Sequence, residues 1–268
     1  MNIPLELRKY KDSSFVIFDS GPSNRRIIIF STLALTEFLQ NSEWWGFDGT
    51  FDLVPKKWKQ LLTLHAKQGE SFVPCLHALL PKKSRRTYDR FFAAVQQLIP
   101  EARVRHAHMD FERTLIGSFE HHYNLAEKHG CFAHFSRALN RRVQKLGLRP
   151  CPSSLRRLRV VMLRCTHNAD RTPIFEEGLS QISCLLQLIF RHRLDFLVCA
   201  RPMFPNELWN CFELTKAGNS KMTDSLEAWH NALKLVLGSS DGKKPKFWKW
   251  LRHMKKECSL KEAELVRL

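Results

Sequence analysis

The chain has 268 residues, long enough for one large domain or two small ones with a substantial core. Hydrophobic residues make up 44% of it, which excludes a disordered polyelectrolyte. Lys and Arg outnumber Asp and Glu by 43 to 26, a formal charge of +17. Such a charge points to polyanion partners, nucleic acid first and an anionic membrane surface second. A spanning helix is excluded, because the longest apolar run, "SCLLQLIF", falls far short of roughly 20 residues. The start, "MNIPLELRKYKD", is charged early and has no apolar signal core, so an intracellular protein is expected. The cysteines are scattered and never form CxxC, as expected of buried thiols.

In chain order, "FVIFDS" and "RRIIIFST" flank the turn "GPSN" and predict a hairpin over 15–32. "LALTEFLQ" predicts a short helix. Three strand-like runs follow, 44–54, 58–67 and 71–81. Pro55 with Lys56 and Lys57 breaks the first from the second, and Gln68-Gly69-Glu70 turns the second into the third. Short connections predict an antiparallel meander.

The period then changes. Tyr88, Phe91, Phe92, Val95, Leu98 and Ile99 share one helical face, with Ser84 to cap the start and Pro100 to stop it. A strand, "ARVRHAHMD", ends at Asp110. A helix, "ERTLIGSFEHHYN", and a strand, "KHGCFAHF", come next. The order is three strands, helix, strand, helix, strand. It predicts a mixed α/β sheet whose last two strands add in parallel through helical crossovers.

From 136 to about 215 the pattern is mostly helical. Residues 136–164 hold nine Arg and Lys and no acid. A helix starts near Asp224, "DSLEAWHNALKLVLG", with Gly238 as C-cap. Beyond 243 the chain reads as a basic tail with Phe247, Trp248 and Trp250 interleaved.

Three carboxylates stand out by position: Asp48 within the first meander strand, Asp110 at the end of the fourth, and Glu227 in the first turn of the late helix. If the first and fourth strands are neighbours, Asp48 and Asp110 approach across the sheet. Two close carboxylates repel unless a cation neutralises them, and Mg²⁺ takes such hard oxygen ligands. Plainer readings stand beside this one. Asp48-Gly49 is also turn chemistry, Asp110 and Glu112 suit a helix start, and Glu227 suits a capping box headed by Asp224.

The constellation resembles the catalytic region of Mutator-like element (MULE) transposases. The similarity runs over "DGTFDLVPKKWKQLLTLHA", "ALLPKKSRRTYDRFFAAV", "MDFERT", "GCFAHFSRAL", "NELWN" and "SLEAWHNAL", in the family's order. The resemblance implies an RNase H-like mixed sheet with flanking helices, and a mostly helical insertion before the last catalytic helix. Residues 1–40 would lead into the core, 41–139 would form its first part, 140–215 the insertion, and 216–268 the catalytic helix and basic tail.

It further implies that Asp48, Asp110 and Glu227 form a DDE triad holding two Mg²⁺ or Mn²⁺ ions. The reaction would be phosphodiester cleavage at element ends followed by strand transfer into target DNA. A nuclear enzyme is implied, working as paired subunits, with no membrane or small-molecule substrate. Arg137, Arg141, Arg142, Lys145, Arg156, Arg157 and Arg159, together with Lys249 in the tail, would hold the DNA backbone.

Cys131 and His134 match the family's C-x2-H motif, which implies a structural or DNA-contact role. Their spacing also suits half a zinc site. Glu112 could support the metal or simply favour a helix start. His230 reads as a packing or hydrogen-bonding residue, and Trp229 as part of the core stripe Leu226, Trp229, Leu233. Ala228 and Asp224 depart from the family's usual Gly and Asn, and no zinc finger is read before the first Asp. A non-catalytic DNA-binding or regulatory protein derived from a transposase is the rival expectation.

Overall fold

A computed structural model describes residues 2–131, 224–237 and 244–266, with 134, 137, 138, 141, 144, 204, 205, 208 and 214. The chain divides into two compact units, 1–128 with 223–268, and 129–222. Most of the second unit, including most of the expected insertion, lies outside the described residues, as does Gly238.

The architecture is α/β, with a seven-stranded mixed sheet flanked by helices. A short helix, α1 (Leu5–Arg8), and a two-stranded ribbon, β1 (Lys9–Tyr10) with β2 (Ser13–Ser14), precede it. The expected hairpin forms as β3 (Val16–Asp19) and β4 (Ile28–Phe30), followed by α2 (Leu33–Asn41). The meander is β5 (Trp44–Thr50), β6 (Gln60–Gln68) and β7 (Ser71–Leu80), antiparallel throughout. Then come α3 (Arg85–Leu98), β8 (His106–Met109), α4 (Arg113–His122) and β9 (Glu127–Gly130). The described helices end with α5 (Asp224–Leu237) and α6 (Phe247–Val266).

The sheet order is β3-β4-β7-β6-β5-β8-β9. The hairpin is therefore part of the main sheet, because β4 pairs antiparallel with β7. β5 lies between β6 and β8, and its pairing with β8 is parallel.

Successive side chains of a strand face opposite ways. On β5, Trp45 and Phe47 take one face, where Phe47 meets Phe92 of α3 and Phe119 of α4 at 5.9 and 5.3 Å between ring centres. All these rings are buried. Each removes enough apolar surface from water to contribute about 1.5–3 kcal/mol. α5 covers the other side of β5 and also packs on β7. Gly46 makes that close approach feasible, since a Cβ there would lie 3.0 Å from Leu226 Cδ2 and 3.2 Å from Phe72 Cδ1.

Several local expectations differ from the structure. β8 ends at Met109, one residue short of Asp110, and β9 ends at Gly130, with His134 helical where the sequence predicts a strand. Ser84 precedes α3 but makes no side-chain cap; its Oγ bonds the Thr87 hydroxyl at 2.9 Å instead. Asp224 is the first residue of α5 rather than the residue before it. The basic tail is a helix whose Phe247, Trp250, Leu251, Met254 and Cys258 are buried. Their spacing of three, four, seven and eleven residues is a helical core stripe. Its rings are core, not an exposed nucleic-acid surface, although Lys249 is exposed.

Candidate functional site

The site grows from the face of β5 that carries Trp44, Gly46 and Asp48. Residues directly opposite in a ladder share a face. Asp48 is opposite Thr63, Gly46 is opposite His65, and Thr63 is opposite His77 on β7. On the other side, Gly46 is opposite His108 of β8. Continuing this parallel register by two residues brings Asp110, just past β8, level with Asp48.

The face is buried and polar. Asp48, Thr63, His65, His77 and His108 are all buried. The Thr63 hydroxyl and His77 Nδ1 lie 3.4 Å apart. Trp229 of α5 stacks on His77 at 5.2 Å and stands edge-on to His65 at 5.8 Å. Burial pushes the His77 imidazolium down to about 3, and it pushes His65 well below the usual histidine range. Both rings are therefore neutral at ordinary pH.

The shortest polar contact on this face joins strand to helix. His230 Nδ1 of α5 lies 2.5 Å from Asp48 Oδ2, with both side chains about nine-tenths buried. A carboxylate accepts, so Nδ1 carries the proton. Asp48 Oδ1 makes no hydrogen bond among the described residues. His230 is thus a hydrogen-bonding residue, and Leu226, Trp229 and Leu233 are buried as a core stripe.

Beside Asp110, Glu112 belongs to a different network. Its Oε1 accepts from the Tyr88 hydroxyl at 2.7 Å and from Thr114 Oγ1 at 3.1 Å, and its Oε2 pairs with Lys83 at 2.5 Å. These contacts make Glu112 an anchor for α3 rather than a spare carboxylate. Burial, then Glu112, pushes the Tyr88 hydroxyl far up, so it remains a donor.

The sequence-predicted residues fall out unevenly. Asp48 lies on β5, and Asp110, one residue past the end of β8, falls beside it when the β5–β8 register is continued. Glu227 lies on α5, one turn before His230, but its side chain is outside the described residues. Cys131 is a buried thiol directly after β9, and His134 is half-buried. Arg137 and Arg141 are exposed, whereas Arg142, Lys145, Arg156, Arg157 and Arg159 lie outside the described residues.

A separate donor group lies on strands β8 and β9. His106, Glu127 and His129 each offer one ligand atom, all within 4.8 Å of one another. It is a group that could hold a metal ion, and its imidazoles suit a transition metal better than Mg²⁺. The sequence signal for it is the alternation of Glu127 and His129 along one strand, close to the more conspicuous Cys131 motif.

A divalent cation fits the carboxylate face chemically. The β5–β8 register, continued two residues, sets Asp110 level with Asp48, one oxygen of Asp48 is uncommitted among the described residues, and the neighbouring His65 and His77 add no positive charge. The chain matches no protein-family model and no curated protein.

Proposed function

We propose that this chain is a MULE-type DDE transposase with an RNase H-like catalytic fold. It cleaves phosphodiesters in DNA and joins the resulting 3′-hydroxyl to target DNA. The observation that carries this reading is the parallel pairing of β5 with β8, whose register, continued two residues, sets Asp110 level with Asp48, while the helix that bears Glu227 packs on β5. The topology supports it too: an antiparallel meander is extended beyond its first strand by β8 and then β9.

In this reading Asp48, Asp110 and Glu227 would hold two Mg²⁺ ions, which would supply Lewis acidity for phosphodiester chemistry. The chain's own residues do the rest. β5 fixes Asp48, the segment just past β8 carries Asp110, and α5 packs over β5. The positive charge of the chain draws the DNA backbone in, with Arg137, Arg141 and Lys249 among its exposed cations. Such contacts position DNA without reading its sequence.

The test is nicking of labelled DNA bearing candidate element ends, with Mg²⁺ or Mn²⁺, for the wild type and Asp110→Asn. Metal-dependent nicking that the substitution abolishes supports the reading. Salt-sensitive binding without nicking, unchanged by the substitution, favours the non-catalytic DNA-binding protein.

A further inference from the structure

We propose that His230 is a positioning residue for Asp48, an inference that rests on the carboxylate-site reading above. His230 reaches from α5 to β5 and holds Asp48 Oδ2 at 2.5 Å. The bond fixes the plane of the carboxylate and leaves Oδ1 as the oxygen that meets the cation. The helix is itself held in place. Leu226 seats against Gly46, and Trp229 packs against His65 and His77.

His230 follows Glu227 by three residues, so the two occupy neighbouring positions on the helix surface. One element thus carries both the third acid and the clamp on the first. Seating α5 orients Asp48 in the same movement that delivers Glu227. Outer partners that orient ligands of a metal typically change its affinity about 10–100-fold when removed.

The test is Mn²⁺ binding to the full chain, followed by the electron paramagnetic resonance signal of the free ion. The proteins are wild type, Asp48→Asn, His230→Ala, His230→Phe and His230→Asn, all in a His129→Ala background that disables the donor group of β8 and β9, each checked for folding by circular dichroism. His230→Phe retains ring volume without the donor if alanine unseats the helix. His230→Asn retains an N–H donor near the position of Nδ1.

The expected result is binding by wild type, loss in Asp48→Asn, weakening of about tenfold or more in folded His230→Ala or His230→Phe, and substantial recovery in His230→Asn. Wild-type affinity in folded His230→Ala or His230→Phe overturns the inference, as does a His230→Asn protein no better than alanine. A wild type that binds no Mn²⁺, or an Asp48→Asn protein that binds normally, overturns the carboxylate site itself and the inference with it.

Discussion

Tyr88 donates its hydroxyl to Glu112 across 2.7 Å, tying the start of α3 to the segment that follows Asp110. Gln60 Oε1 lies 2.8 Å from the same hydroxyl, and Gln60 is buried. The hydroxyl has a single proton, which reaches one of these two acceptors at a time. Tyr88→Phe removes it and leaves a buried amide oxygen without that donor, at a cost of about 1–3 kcal/mol. Urea denaturation should show a lowered midpoint with an unchanged slope. An unchanged midpoint would mean that the hydroxyl contributes nothing net.

Gly46→Ala should loosen α5. The added methyl meets Leu226 and Phe72 inside ordinary contact distance. Overpacking of this kind costs about 1–3 kcal/mol. The reduced freedom of the unfolded chain returns only about 0.4–1 kcal/mol. Thermal unfolding of the variant should begin earlier, and the fluorescence of the protein should report a changed Trp229 environment. A variant more stable than wild type would contradict the close seating of the helix.

The buried histidines set an acid limit on stability. Burial lowers the folded-state affinity of His65 and His77 for protons, while the unfolded chain binds them near about pH 6.5. The unfolded state therefore binds more protons below that pH, and stability falls as pH falls. It is retained in full above the unfolded value. At about pH 5.5 each ring should cost on the order of 1 kcal/mol. Thermal midpoints at about pH 7.5 and 5.5 should differ less in a His65→Phe, His77→Leu protein than in wild type. An equal difference would exclude these rings as the cause.

The meander is legible in the sequence because its strands are rich in apolar and aromatic residues. They are separated by Pro55, Lys56 and Lys57 on one side and Gln68-Gly69-Glu70 on the other. Asp48 stands out for the same reason: a carboxylate in such a run demands a partner. The partner itself is not legible. His230 lies 182 residues away, and helical periodicity says which face it shares but not which strand it meets. The pairing of β4 with β7 is hidden in the same way, since local pattern does not specify long-range register. The tail departs from expectation for a different reason. Phe247, Trp250, Leu251 and Met254 carry the helical period in plain view, but the lysines between them mask it as a basic surface segment.

The separation of Asp110 from α5 has a consequence for biosynthesis. Every described strand of the main sheet is encoded by residue 130, yet the helix that covers Asp48 begins only at Asp224. During translation the sheet can pair while its polar face still lacks a cover. Asp48 meets His230 only after the intervening segment has left the ribosome. A nascent chain therefore carries its aspartates long before it can organise them, so DNA chemistry of the proposed kind must wait until synthesis has passed α5.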